Sequence, residues 1–218
     1  MKKFNIAIDG PSGVGKSTIS DHLAQTLNMR HLDTGAMYRC VAYYLKQENT
    51  DIKNEVELEK ALNQIHIRFD EDKVYLNDQD VSNEIRTNDI SMYASKTSAL
   101  PAVRKKLVDL QQEIAKDKGF IVDGRDICTV VLPDAEVKIY LDASAKARAD
   151  RRYKEYTSKG IEMDYQKVYD DIVQRDYQDS HREISPLKKA KDAVVIDTSD
   201  LDIDQVLQRA LEIVKENI

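Results

Sequence analysis

Glycine and proline are scarce in this chain, which has only seven of the first and four of the second among 218 residues. With so few chain breakers there is no Pro/Ser-rich linker, repeat or low-complexity arm. A content of 41% hydrophobic and 33% charged residues then fits one folded, helix-rich soluble domain. Cysteine is scarcer still: Cys40 and Cys128 form no CxxC and have no histidine cluster beside them. No disulfide, metal site or catalytic thiol is indicated, and a reduced, cytoplasmic setting is the simplest expectation. Long apolar runs are also missing, none approaching the ~20 residues that cross a bilayer. The opening MKKFNIAIDG has the lysines and short apolar run of a signal peptide, but Asn5 and Asp9 interrupt it and it reads as a buried strand. Finally, there is no excess of basic residues. A net charge of −6 and a pI near 5.3 argue against a nucleic-acid polymer as partner. A small anion needs only a few arginines aimed into one cleft and stays open.

What the sequence does contain is an alternation of short apolar runs with helical periodicity. FNIAID at 4–9 enters a glycine-bearing turn and then the helical KSTISDHLAQTL. FIVDG at 120–124, VKIYLDA at 137–143, AVVID at 193–197 and a short run at 30–32 complete a set of five. Strands alternating with helices predict βαβ units and a parallel sheet covered by helices. Val103, Leu107, Leu110 and Ile114 recur at helical spacing over 102–116, as do Val206, Leu207, Ala210, Leu211 and Val214 near the C-terminus. Asp202, with Gln205 three residues on, is placed to form a capping box for that last helix. One segment breaks the alternation. HIRFDEDKVYLNDQDVS at 66–82 reads as short strands joined by Asp- and Asn-rich turns, a small antiparallel insert.

Gly10-Pro11-Ser12-Gly13-Val14-Gly15-Lys16-Ser17, followed by Thr18, matches G-x-x-x-x-G-K-[ST] after a strand and before a helix. The chemistry needs glycine because backbone N–H groups must wrap closely around phosphate oxygens. Lys16 would reach the β- and γ-phosphates and Ser17 would bind Mg²⁺, with the helix N-terminus adding partial positive charge. The bland alternative is a glycine turn with an exposed lysine. The motif alone identifies a nucleoside-triphosphate binder, since switches, motors and kinases share it. Beyond it lies Asp33-Thr34-Gly35-Ala36-Met37-Tyr38-Arg39 at the carboxyl end of the second strand, where open α/β sheets bind ligands. The residues alone allow two accounts equally: Thr34 and Arg39 face a ligand crevice, or one of Asp33 and Thr34 caps a helix whose Arg39 is solvated.

The series IDGPSGVGKST, LDTGAMYR, VDGRD, TVVLPDA and KIYLDAS resembles, in order and spacing, the signature series of the cytidylate kinases, and the likeness covers nearly the whole chain. It implies a nucleoside monophosphate kinase fold: a five-stranded parallel core at about 1–34, 88–143 and 183–218, a monophosphate-binding lobe with a three-stranded insert at about 35–87, and a lid at about 144–165, all in one domain over 1–218. It implies ATP and CMP or dCMP as substrates, Mg²⁺ with the ATP, no membrane or nucleic-acid partner, and a monomer. By the same resemblance Thr34, Arg39, Ser95, Arg104, Arg125, Asp126, Arg175, Asp179 and Arg182 would line the CMP site. Arg148, Arg151 and Arg152 would be the lid arginines and, with Lys16 and Arg125, would act in catalysis. Where some members have Ser at position 34 this chain has Thr, which keeps the hydroxyl.

So many arginines suit phosphoryl transfer between two polyanions, where catalysis is positioning and charge neutralisation and the guanidinium fork binds phosphate bidentately. Each also has a bland alternative: Arg125 as a surface salt-bridge partner, Arg104 and the lid arginines as solvated helix faces, Ser95 as a cap. A phosphate acceptor is largely ionised near neutrality and needs no general base, and none is evident. His22, His31, His66 and His181 are scattered and read as surface or packing residues. Of the four, His181 stands apart through its place between Asp179 and Arg182. The rival accounts are a kinase of another small acceptor and a nucleotide-hydrolysing switch. The second lacks an N-K-x-D-like guanine-reading block and any second domain to move.

Overall fold

The run Ile6–Asp9 is buried along its whole length, as a strand must be when it is paired on both sides and covered on both faces. It forms β1 of a computed structural model that describes residues 3–70 and 73–218. The parallel sheet has the order β2-β6-β1-β7-β8, with β2 at Arg30–Asp33, β6 at Phe120–Gly124, β7 at Val137–Asp142 and β8 at Val194–Asp197. All five strands expected from the sequence are present. β7 stops one residue short of Ala143 and β8 starts at Val194. Central β1 pairs Ile6 with Ile121 on one side and with Val137 on the other, so the chain crosses over in both directions from it. That reversal leaves the crevice beyond the carboxyl ends of the strands where ligands of such sheets bind.

Helices α1 (Lys16–Leu27) and α8 (Ile203–Asn217) lie over one face. Ile19 and Leu23 from the first and Val206, Ala210, Ile213 and Val214 from the second meet Ile6, Ile8, Ile139, Leu141 and Ile196 of the sheet. Each such side chain withdrawn from water contributes about 1.5–3 kcal/mol, and this layer fixes the loop between β1 and α1. The capping box of α8 is formed as its sequence predicts, Asp202 accepting from the Gln205 N–H and the Gln205 side chain accepting from the Asp202 N–H. After β7 come α6 (Ala145–Ser158) and α7 (Tyr165–His181). They pack on each other through Ala149, Val168 and Ile172.

These elements belong to one compact unit made of residues 1–33 and 114–218, and residues 34–113 form a second. The second unit holds α2 (Thr34–Gln47), α3 (Glu55–Asn63), α4 (Asn88–Thr97) and most of α5 (Pro101–Ala115). It also holds the antiparallel insert, with β3 at Ile67–Asp70, β4 at Lys73–Leu76 and β5 at Gln79–Asp80. Within it α4 packs on α2 through Ile90, Ala94 and Ala42. Among the described residues no helix is long and apolar enough to cross a membrane.

Candidate active site

The loop from Gly10 to Ser17 runs off β1 beneath β7. A Cβ built on Gly10 would lie 2.2 Å from the carbonyl oxygen of Leu141, a distance no side chain tolerates, so glycine is required by the neighbouring strand as well as by any ligand. Gly15, at φ 97°, turns the chain into α1 in a left-handed conformation that costs other residues roughly 1–2 kcal/mol. Val14 anchors the loop in the core, while Gly13, Gly15 and Thr18 are all exposed to solvent. Lys16 is buried and donates through Nζ to the carbonyls of Gly10 and Pro11, each at 2.8 Å. The alternative of an exposed lysine is thereby set aside. Burial first, and the charge of Arg125 second, push its pKa down to about 7. Its ammonium rests on neutral carbonyls, and an arriving phosphate would offer it a full negative charge.

Ser17 Oγ donates to Asp123 Oδ2 at 3.3 Å. A hydroxyl and a carboxylate in this arrangement are hard oxygen donors of the kind Mg²⁺ accepts. Mg²⁺ takes one or two protein groups plus substrate phosphates, so the residues fit it without an all-protein cage. Among the described residues none is formed. The other carboxylate oxygen, Oδ1, lies 2.7 Å from His31 Nε2, and His31 Nδ1 lies 2.6 Å from Asp21 Oδ1. Burial would lower the pKa of His31, but the hydrogen bonds to Asp123 and Asp21 outweigh it and push it up to about 10. His31 is thus no idle packing residue. Neither it nor Asp123 is among the site residues expected from the sequence. The available signal is an acid near the end of a fully buried strand, since Asp123 stands on β6 in the way that Asp9 stands on β1.

Beyond β6 the chain enters a π-helical turn at Ile127–Val131. The turn is pinned to β1 because Ile127 and Cys128 donate their N–H groups to the two oxygens of Asp9, each at 2.8 Å. Burial and the nearby Asp9 raise the Cys128 thiol pKa, so it stays protonated and unreactive. Arg125 and Asp126, just before this turn, meet α7. Arg125 Nε donates to Asp179 Oδ2 at 2.8 Å, and Arg182 Nη2 lies 3.4 Å from Asp126 Oδ1. Burial of Asp179 would raise its pKa, but Arg125, then Arg175 and Arg182, hold it below the ordinary carboxylate value. Arg125 is therefore paired inside the unit rather than at the surface. His181 stacks on Tyr177 with ring centroids 4.0 Å apart and is exposed. It contacts neighbours on its own helix, Ser180 and Tyr177.

The three arginines of α6 are not equivalent. Arg148 is buried, donating from Nη1 to Ser12 O at 3.0 Å and from Nε to Ala143 O at 3.0 Å, with Nη2 2.7 Å from Asp176 Oδ2. Arg151 donates to Thr198 Oγ1 at 3.0 Å and to the Thr198 carbonyl. Arg152 lies over the Tyr156 ring, 5.9 Å from its centroid. In the second unit Thr34 begins α2 and is buried, and Arg39 is half-buried. Ser95 lies on α4, its carbonyl accepting from Ser98 Oγ at 2.8 Å. Arg104, on α5, is only 3% exposed. It donates to Ser98 O at 3.4 Å, 5.6 Å from the Tyr38 ring centroid. The solvated-face alternative for Arg104 is excluded by that burial.

The family model for cytidylate kinase matches residues 6–216, which takes in every element of this site. The chain belongs to the cytidylate kinase family. It is 51% identical over 211 residues to the cytidylate kinase of Thermosipho melanesiensis, covering 97% of this chain and 96% of that one. It is 52% identical over 219 residues to that of Caldicellulosiruptor saccharolyticus, covering 98% and 96%. Among solved structures, an uncharacterized protein from Eubacterium ventriosum has a TM-score of 0.54 at 11% identity, covering 99% of each chain. A shikimate kinase from Bacteroides thetaiotaomicron gives 0.53 at 11%, covering 97% and 98%. These two likenesses concern the fold alone. Beyond the carboxyl end of β6, Arg125 pairs with Asp179 and Arg182 with Asp126, and Arg175 adds its charge beside Asp179.

Proposed function

We propose that the chain transfers the γ-phosphoryl group of ATP to CMP, and to dCMP, giving ADP and the diphosphate. The observation that carries the proposal is Lys16: buried, turned onto carbonyls of its own loop, and at the start of α1 in a chain that the cytidylate kinase family model spans almost end to end. In the reaction its ammonium would leave those carbonyls for the β- and γ-phosphates and follow charge onto the leaving oxygen. Ser17 and Asp123 would hold Mg²⁺, which supplies charge neutralisation on the phosphate oxygens.

Arg125, Arg175 and Arg182 would bind the phosphate of the acceptor and exchange part of their pairing with Asp179 and Asp126 for it. Guanidinium groups lose little when a phosphate replaces a carboxylate, since both accept bidentately. Thr34, Arg39, Ser95 and Arg104 are the proposed contacts to the remainder of CMP. Arg151 and Arg152 are the proposed lid arginines, whose closure over ATP would exclude water and prevent hydrolysis.

The test is ADP formation from ATP and Mg²⁺ with each nucleoside monophosphate in turn, and with water alone. Turnover with CMP and dCMP well above the others is expected. Equal turnover with water, or a preference for a small hydroxylated acceptor, would overturn the proposal.

A further inference from the structure

Asp123 is the carboxylate to which the phosphate-loop hydroxyl of Ser17 donates, and its own orientation depends on a neighbour. An aspartate carboxylate has two oxygens and a broad, weakly restrained χ2. Oδ2 faces Ser17 and Oδ1 faces His31 Nε2. His31 enters from β2, two residues before the strand's end, where it is in register with Ile121 of β6. Side chains two residues apart on a strand share a face, so His31 and Asp123 lie diagonally on the same side of the sheet. The imidazole is held in turn by Asp21 of α1 through Nδ1. The result is a chain of contacts, Asp21–His31–Asp123–Ser17, with the first acid at the surface and the second buried.

We infer that His31 is a positioning residue: by donating to Oδ1 it locks the Asp123 carboxylate with Oδ2 toward Ser17, and thereby sets how well the loop takes up Mg²⁺ with its nucleotide. This rests on the proposed function for the identity of the metal and nucleotide. The physical logic is that of groups one bond removed from a metal site, whose loss typically costs about 10–100-fold in metal affinity by letting a ligand rotate. His31 is well suited to it. With carboxylates at both ring nitrogens the imidazole is aligned at both ends, so it can neither flip nor swing away from Asp123 without breaking the Asp21 contact.

Two substitutions separate positioning from mere packing. His31→Leu fills the space and removes the donor, whereas His31→Gln keeps an N–H within reach of Asp123. The readout is the affinity for ADP measured calorimetrically with Mg²⁺ and with chelator. His31→Leu is expected to cut the Mg²⁺-dependent gain in ADP affinity by about 10-fold and leave chelated ADP within about two-fold of wild type, with His31→Gln restoring most of the gain. If His31→Leu weakens ADP equally with and without Mg²⁺, or keeps the full Mg²⁺ gain, or if Leu and Gln behave alike, the inference is overturned. Asp21→Asn, at an exposed position, serves if His31→Leu does not fold. It should lower the same gain several-fold, and an unchanged gain would refute the role. Wild-type turnover with CMP is measured alongside. Its failure would sink the proposed acceptor and leave the ADP comparison standing.

Discussion

Arg148 Nη1 donates to the carbonyl of Ser12 at 3.0 Å, which ties α6 to the crown of the phosphate loop. The two residues lie 136 positions apart. Of the three α6 arginines it is the one turned inward, and Asp176 of α7 neutralises it at 2.7 Å. A guanidinium in that position sets the shape of the loop before any nucleotide arrives.

Removing it should therefore damage both stability and ATP use. Arg148→Ala leaves Asp176 without its partner and the Ser12 carbonyl without a donor, a loss of about 3 kcal/mol, and should raise KM for ATP on the order of ten-fold with KM for CMP little changed. Arg152→Ala gives up only a contact with the Tyr156 ring, below about 1 kcal/mol. Denaturant unfolding with steady-state kinetics checks the pair. Equal stability losses for the two variants would show that the Ser12 contact contributes nothing.

Gly10→Ala addresses the other side of the same loop. Its Cβ would meet backbone, the Leu141 carbonyl at 2.2 Å, and backbone of a central strand cannot swing aside as a side-chain tip can. The loop must shift away from β7, at a cost of about 1–3 kcal/mol and with loss of most ATP affinity. Gly15→Ala meets no atom within 4 Å and loses only what its positive φ costs, roughly 1–2 kcal/mol. Thermal midpoints and ATP titrations for both variants test this. If Gly10→Ala binds ATP as the wild type does, the close approach to β7 does not shape the loop.

Asp179→Asn tests the pairing of Arg125 through its pH dependence. The folded carboxyl lies below its ordinary value of 3.8 because Arg125, Arg175 and Arg182 outweigh burial. A depressed carboxyl stabilises the fold above the unfolded value, and that contribution fades as pH falls from about 3.8 through the folded value. The wild type should thus exceed Asp179→Asn by about 3 kcal/mol at pH 6 to 7, the gap narrowing below pH ~4. Urea unfolding of both proteins across that range decides it. A gap that does not change with pH would mean that charge pairing is not its source.

The parts of this molecule legible in its sequence are those written in short stretches of chain. Asp202 and Gln205 announce a helix start three residues apart, Val206 to Val214 mark one apolar face, and Gly10 to Ser17 spell out the phosphate loop between an apolar run and a helix. The antiparallel insert shows itself as a break in the alternation. What stays hidden is carried by side chains far apart in the chain. His31 and Asp123 are separated by 92 positions, and nothing local to either says that β2 and β6 are neighbours. Likewise Arg148, Arg151 and Arg152 sit in one charged run, yet the helix turns Arg148 inward to Ser12 and leaves Arg152 over Tyr156. Composition gives the number of arginines, and only tertiary contacts, to Ser12 and Asp176 for Arg148 and to Thr198 for Arg151, tell them apart.

Arg104 carries the prediction about the base. Cytosine offers an amino donor at N4 beside an acceptor at N3, and uracil offers the acceptor O4 beside an N3–H donor. A guanidinium only donates, so one aimed at N3 or O2 is satisfied by cytosine and set against the N3–H of uracil. The Arg104 side chain is suited to such discrimination because it does not wave in solvent. It is 3% exposed and anchored to the Ser98 carbonyl, and a donor held in place cannot turn away from a mismatched base. A buried polar group left unpaired costs roughly 1–3 kcal/mol, more when charged, which allows a preference on the order of 10²-fold for CMP over UMP. Arg104→Met keeps much of the apolar stem and removes the donors. It should lower kcat/KM for CMP far more than for UMP, bringing the two together while ATP affinity persists. A variant that stays folded and keeps the wild-type CMP:UMP ratio would show that Arg104 stabilises α5 without reading the base, and that the choice of pyrimidine is made elsewhere.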